Sequence, residues 1–130
     1  MRRMVLLGAA LCLCLSAGCS DPHKENIKEE LTLFKELNKV LDGIQDGDTF
    51  EAAISDLEHV NLLFKDNRER RLALAKQPEK ERRALLKSYG VQLDQEMRSV
   101  GTHMTRVAGF LKPEQIDRLT KALQDVDLGG

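Results

Sequence analysis

The amino-acid sequence predicts an all-α protein, an antiparallel up-down-up helical bundle with three long helices followed by a short C-terminal helix. Apolar residues recur in steps of three and four, and no stretch alternates with the period of two that indicates a strand. Each of the three prolines stands where a helix can begin, because its fixed φ suits the first helical position. Charged residues make up 32% of the chain and aromatic residues 4%, which is typical of a solvated helical protein rather than of a β domain.

The first two helices are expected over Pro22–Ile44 and Thr49–Lys76. The second begins where Asp48 can accept a hydrogen bond from the amide of Glu51 while the Glu51 carboxylate reaches back, as in a capping box. The apolar stripe of the first helix consists of Ile27, Leu31, Phe34, Leu37, Leu41 and Ile44. The stripe of the second consists of Phe50, Ile54, Leu57, Val60 and Phe64.

The third helix is expected over Pro78–Phe110 and the short fourth helix over Pro113–Val126. The third carries two interleaved series with a spacing of seven, which are Leu86, Leu93, Val100 and Val107, and Met97, Met104 and Leu111. The fourth carries Ile116, Leu119, Leu123 and Val126. One apolar stripe on each helix and short turns between the helices favour antiparallel neighbours around a shared core.

The first twenty residues have the pattern of a secretory signal. A basic start, Met1–Met4, precedes the apolar stretch Val5–Leu15 and the small residues Ser16–Gly18. The apolar stretch is shorter than the roughly 20 residues that a spanning helix needs. We therefore expect residues 1–18 to be a cleaved signal peptide and residues 19–130 to form a single helical domain.

The peptide Leu15-Ser16-Ala17-Gly18-Cys19 resembles the lipobox of bacterial lipoproteins, although Ser16 stands where leucine is most common. The resemblance implies that the sulfur of Cys19 receives a diacylglyceryl group and that a dedicated peptidase cuts just before this residue. The alternative is an ordinary cleaved signal with a chance cysteine. With Cys12 and Cys14 removed and Cys19 lipidated, the mature chain has no thiol for redox chemistry or zinc binding. Ser20 occupies the position after Cys19 at which many Gram-negative bacteria read an aspartate as a retention signal. The absence of this aspartate favours the outer membrane, facing the periplasm.

Charge is distributed unevenly along the mature chain. Residues 19–64 contain four basic and eleven acidic residues, whereas residues 65–87 contain nine basic and four acidic residues. The overall balance is slightly acidic, so nothing predicts a nucleic-acid partner.

The basic segment is expected at the anchored end of the bundle, because the second helix is longer than the first and should project beyond it from Arg70 onward. Arg70, Arg71, Lys76, Lys80, Arg82 and Arg83 are the candidate residues for a contact of this projection with anionic lipid headgroups. The alternative is a solvated helix end that Glu69, Glu79 and Glu81 partly neutralise. The polar run 66–71 indicates either this projection or a binding partner.

Catalysis and metal binding are not expected. The imidazoles of His23, His59 and His103 do not have the spacing of a helical metal site. His103 lies beside Met104, but Met97 and Met104 belong to the apolar seam, which favours packing over copper binding. The sequence contains no nucleophile motif or glycine-rich phosphate loop. We expect no enzyme activity, no cofactor and no metal.

The segment Leu111-Lys112-Pro113-Glu114-Gln115 resembles the L-T-x-x-Q motif of the periplasmic stress-chaperone family, small all-helical dimers that cradle unfolded proteins or sense envelope stress. Lys112 stands where threonine belongs, and no second copy follows. The alternative is that these residues only begin a helix. We expect a lipid-anchored, non-catalytic helical module that contacts the membrane and a protein or envelope partner whose identity the sequence does not specify. A periplasmic chaperone or envelope-stress sensor is the alternative. The sequence does not determine the oligomeric state.

Overall fold

The computed structural model describes residues 21–129 and is all-helical over that range, without a strand. It contains α1 (Pro22–Asp42), α2 (Gly47–Ala73), α3 (Glu79–Ala108) and α4 (Pro113–Ala122). The predicted all-α bundle of three long helices and a short C-terminal helix is therefore confirmed. The predicted signal peptide and Cys19 lie outside the described residues. No helix between residues 21 and 129 is long and apolar enough to cross a membrane.

Helix α1 lies between the other two long helices and packs along both of them, while α4 packs on α2. Its C-terminal half is joined to α3 by polar contacts: Asn38 Nδ2 donates to the Glu96 carbonyl oxygen at 3.0 Å. The Arg106 guanidinium donates to the carbonyl oxygens of Leu41 and Ile44, each at 2.8 Å. The carbonyl groups of Leu41 and Ile44 lie at the end of α1, where no following turn of helix supplies amides to them. These contacts fix α3 parallel to α1.

The apolar core occupies the half of the bundle that is distant from the start of α1. It is built from the second half of α1, residues 50–64 of α2, the last turns of α3, and α4. Within this core the rings of Phe34 and Phe64 meet edge to face, with their centroids 4.8 Å apart. The fully buried large side chains include Phe34, Leu37, Leu41, Ile44, Phe50 and Leu57.

The half of the bundle near the start of α1 is held by polar contacts instead. Across residues 22–30, 65–73 and 79–99, the only buried residues are Asn26 and Asn67. The Asn26 side-chain amide donates to the Asn67 carbonyl oxygen at 3.0 Å, and the Asn67 amide donates to the Asn26 carbonyl oxygen at 3.1 Å. This reciprocal pair joins α1 to α2 and sets their register.

The predicted stripe of α3 is buried at one end only. Val100 and Val107 are fully buried, Leu93 is half-buried, and Leu86 is 48% exposed. The predicted seam residues Met97 and Met104 pack against the core while partly exposed. The stripe therefore runs past the apolar core toward the start of the helix.

The start of α2 differs from the expectation that Asp48 caps the helix. The cap is Asp46, whose Oδ1 accepts from the Thr49 amide at 2.8 Å, while Thr49 Oγ1 accepts from the Asp46 amide at 3.0 Å. The hydrogen bonds that the Thr49 amide and the Thr49 hydroxyl donate to the Asp46 carboxylate hold the pKa of Asp46 below its usual range. Helix α2 therefore begins two residues earlier than expected, and the Glu51 carboxylate does not take part in the cap.

The other helix ends lie within a few residues of the predicted ones. Pro22 and Pro113 occupy the first helical turn, as predicted, whereas Pro78 directly precedes α3. Helix α1 ends at Asp42, and Ile44 beyond it is fully buried. Helices α2 and α4 end three and four residues before the predicted ends, so residues 123–126 leave the helix.

The segment after α4 is fastened to α2 through Asp125. Its carboxylate accepts from Asn61 Nδ2 at 3.0 Å and from the Arg68 guanidinium at 2.8 Å, and its amide donates to Asn61 Oδ1 at 2.9 Å. The hydrogen bond from Arg68, followed by that from Asn61, lowers the pKa of Asp125 below its usual range. This clasp holds the C-terminal segment against the bundle.

Replacing the core ring tests the placement of the core. Phe34→Ala is expected to lower the free energy of unfolding by about 3–5 kcal/mol, because it leaves a cavity beside Phe64. Urea denaturation measures this loss. The matched control is Leu62→Ala on the exposed side of α2, expected to change stability by about 0.5 kcal/mol or less. Similar losses in both variants would contradict the assigned core.

The Asp125 clasp predicts a pH dependence with a defined sign. Because the folded pKa lies below the unfolded value of about 3.9, the stabilisation is present above the unfolded pKa and is lost as the pH falls through the folded pKa. The destabilisation caused by Asp125→Asn should therefore be larger at pH 7 than at pH 3 in urea titrations. Asp117→Asn on exposed α4 is the control. An equal effect of Asp125→Asn at both pH values would contradict the clasp.

Candidate functional site

The candidate site is the turn that joins α2 to α3, with the helical residues on either side of it. We call residues 72–87 the α2–α3 end. Leu74 terminates α2 in an extended conformation, and its amide donates to the Arg71 carbonyl oxygen at 3.2 Å. Pro78 is also extended and directly precedes α3, so the chain reverses direction between the two helices.

Two of the six predicted surface cations form ion pairs between helices of the bundle. The Arg70 guanidinium lies 2.6 Å from Glu29 Oε1, and the Arg71 guanidinium lies 3.2 Å from Glu30 Oε2. Both acceptors are on α1, so these ion pairs join α1 to α2. The expectation that α2 projects beyond α1 from Arg70 onward differs from the structure, because the last turn of α2 packs on α1 and ends at Ala73.

Glu30 is the more enclosed of the two carboxylates. Burial raises the pKa of Glu30 above its ordinary value, the Arg71 charge and hydrogen bond oppose this rise, and the negative charge of Asp127 adds to it. Arg71 therefore offsets part of the effect that burial has on the pKa of the Glu30 carboxyl group.

The remaining four predicted cations, Lys76, Lys80, Arg82 and Arg83, are exposed at the α2–α3 end. Arg83 pairs with Glu79 one turn earlier, and both side chains remain mostly exposed. Within residues 21–129, no ion pair joins Lys76, Lys80 or Arg82 to a carboxylate. The structure thus separates the six predicted cations into two that brace the fold and four that face solvent.

The start of α1 lies beside the first turns of α3. Asp21 and Lys24 line a cavity of about 260 Å³ together with Glu81, Leu85 and Tyr89 of α3. The Asp21 carboxylate caps α1 by accepting from the His23 amide at 3.0 Å. The first described residue and the basic segment therefore occupy the same end of the molecule.

Exposed apolar side chains accompany these cations. Leu72 is 76% exposed, Val91 is 67% exposed, and Leu86 belongs to the uncovered part of the α3 stripe. Sequence reasoning treated Leu86 as a core residue and did not single out Leu72. The sequence signal that could have identified Leu72 was its isolated position after the six polar residues 66–71.

A second concave surface runs between α1 and α2. It is an open groove of about 640 Å³ with an apolar floor that includes Val40, Ala53 and Val60. Its polar rim is formed by Glu36, Lys39, Asp56 and His59. Within residues 21–129, no three His, Cys, Asp or Glu side chains lie close enough to share a metal ion.

Gln115, in the segment 111–115 that resembles the L-T-x-x-Q motif, forms hydrogen bonds within the fold. Its Oε1 accepts from the Lys112 amide at 3.1 Å, and its Nε2 donates to Glu51 Oε1 at 3.1 Å. Glu51 also accepts two hydrogen bonds from Arg118, at 2.7 and 2.9 Å, and these lower its pKa. The segment therefore begins α4 and ties it to α2. Comparison of the chain with protein-family models, curated proteins and solved structures gives no match.

The enclosed ion pair predicts how an arginine substitution affects stability. Arg71→Gln removes the cation from Glu30, so its pKa rises further and the charged form is destabilised. Because a raised folded pKa favours stability at low pH, Arg71→Gln should lower the free energy of unfolding by about 1 kcal/mol at pH 7 and by less toward pH 4.5. Thermal unfolding at both pH values measures this difference.

Arg98→Gln is the matched control, because Arg98 pairs with the exposed Asp94 on the same helix. Glu30→Gln in the Arg71→Gln background should abolish the pH dependence of the loss. A pH-independent effect of Arg71→Gln would show that Arg71 does not maintain the charge on Glu30.

Proposed function

We propose that the protein is a lipid-anchored bacterial envelope lipoprotein whose helical bundle has a structural or interaction role without catalysis. The observation that carries this proposal is the short distance along the chain between the lipobox-like Cys19 and the first cap of the bundle. Only Ser20 separates Cys19 from Asp21, the N-cap of α1. Acyl chains on this cysteine would therefore hold the bundle directly at the bilayer surface.

The physical basis of the anchor is the burial of acyl methylenes. Each buried methylene contributes about 0.8 kcal/mol, so two or three chains give stable attachment where one gives only reversible binding. The titratable side chains of the bundle support the non-catalytic role, because the carboxylates with lowered pKa are engaged in caps and clasps. Asp46, Glu51 and Asp125 each stabilise a helix end or a helix contact.

A periplasmic chaperone or envelope-stress sensor is the second candidate. The exposed apolar side chains Leu72, Leu86 and Val91 favour it, since binding of unfolded clients requires uncovered apolar surface. Suppression of the aggregation of a denatured client at substoichiometric ratios would favour this role. A single defined partner captured by crosslinking in intact cells would favour the interaction role.

Replacement of Cys19 tests the anchor. Cys19→Ala should abolish incorporation of labelled palmitate and move the protein from the membrane to the soluble fraction, because the sulfur that receives the lipid is absent. Fractionation and mass spectrometry measure both effects. Globomycin, which inhibits the lipoprotein signal peptidase, should cause the unprocessed chain to accumulate.

Cys14→Ala provides the matched control, since this cysteine lies in the expected signal and should leave labelling and fractionation unchanged. Membrane association that persists in Cys19→Ala, together with processing that is insensitive to globomycin, would contradict the proposed anchor.

A further inference from the structure

We infer that the α2–α3 end is a second contact with the bilayer, a docking surface for anionic lipid headgroups. This inference rests on the proposed lipid anchor and adds an orientation to it: the bundle stands with this end on the membrane and with its apolar core away from it. The residues that make the contact are Leu72, Lys76, Lys80, Arg82, Arg83 and Leu86.

The first argument is the uncovered apolar surface. In the α3 stripe, Val100 and Val107 are fully buried, whereas Leu86 in the equivalent position two heptads earlier is half exposed. Leu72 at the end of α2 is the most exposed large apolar side chain among the described residues. Apolar side chains that stand beside cations at one end of a helix pair are typical of elements that enter the headgroup region of a bilayer.

The second argument is charge, which decides between a lipid surface and a second copy of the chain. Residues 72–87 contain five basic and two acidic residues. Two copies meeting through this end would bring like charges together, which is unfavourable. An anionic lipid surface attracts the same cations, and each one near the surface raises the binding constant about fivefold.

The third argument is proximity to the expected site of lipidation. Asp21 lies beside Glu81 and Leu85 on the first turns of α3, and Ser20 is the only residue between Asp21 and Cys19. A tethered surface meets the membrane at high effective concentration, so a contact that is weak in isolation is occupied when the tether is present.

Two cations of the basic segment do not take part in the proposed contact with lipid headgroups. Arg70 and Arg71 are committed to Glu29 and Glu30 of α1, and moving either to a headgroup would leave a carboxylate without its cation. The cost of leaving a carboxylate without its cation would be greatest at Glu30, because burial already raises the pKa of this residue. The surface is therefore narrower than the basic segment of the sequence.

Single tryptophan reporters test the contact, because the natural chain contains no tryptophan. Lipidated full-length protein carrying Leu72→Trp, Leu86→Trp or Leu62→Trp would be reconstituted into phosphatidylglycerol vesicles with brominated acyl chains, which quench fluorescence on contact. Leu62 is 57% exposed on α2, ten residues from Leu72 and hence about 15 Å farther along the helix, and serves as the control. Vesicle sedimentation reports the anchor separately.

We expect quenching at positions 72 and 86 to exceed that at position 62 by roughly twofold or more. Replacing Lys76, Lys80, Arg82 and Arg83 with glutamine should abolish this excess while sedimentation is unchanged, and 1 M salt should weaken it. Replacing Arg70 and Arg71 with glutamine should leave it in place. Zwitterionic vesicles should show less quenching than anionic ones.

Equal quenching at all three positions, or none at positions 72 and 86 in protein that sediments with vesicles, would overturn the docking surface and leave the anchor intact. A dimer in detergent that dissociates on Leu86→Gln substitution would assign this surface to a second copy and also overturn the inference. Failure to sediment would refute the anchor itself, and the docking surface with it.

Discussion

The separation of apolar and polar packing along the bundle is the constraint on which the rest of the structure depends. Helix α1 contacts α2 and α3 through leucine and phenylalanine side chains in its second half, whereas Asn26, Glu29 and Glu30 in its first half form polar contacts with α2. Burial of apolar area contributes about 25 cal/mol per Å², whereas a hydrogen bond contributes only about 1 kcal/mol net. Most of the stability therefore resides in the half that is distant from Asp21, and the near half is expected to open first.

Polar contacts nevertheless give the near half a defined register. The Asn26–Asn67 pair satisfies two buried amides only when the helices are aligned, and a shift by one turn would leave both without partners. The ion pairs of Arg70 with Glu29 and of Arg71 with Glu30 also favour this register. These contacts hold α1 and α2 together in this half without a continuous apolar core, which leaves apolar and basic side chains at its end available for external contacts.

The sequence was sufficient to predict the fold class, because the apolar stripes of all four helices and the positions of Pro22 and Pro113 agree with one another. It was insufficient where two residues of equal propensity compete. Asp46 and Asp48 are both good N-caps, and the outcome depends on Thr49, which supplies the reciprocal hydrogen bond. The stripe of α3 predicted Leu86 as a core residue, but Leu86 is 48% exposed, since periodicity does not reveal whether side chains of the partner helices cover a position.

For the same reason, the sequence did not show which cations of the basic segment remain exposed at the candidate surface. Arg70 and Lys76 belong to one basic segment and look equivalent in the sequence, but only Arg70 meets a carboxylate on α1 once the register is fixed. Folding brings part of the acidic N-terminal segment against part of the basic segment, so these charges compensate each other. The cations beyond the last turn of α2 have no such partner on α1, and the positive charge of the segment is concentrated at the α2–α3 end. Interhelical register, rather than composition, therefore determines where an anionic surface would be attracted.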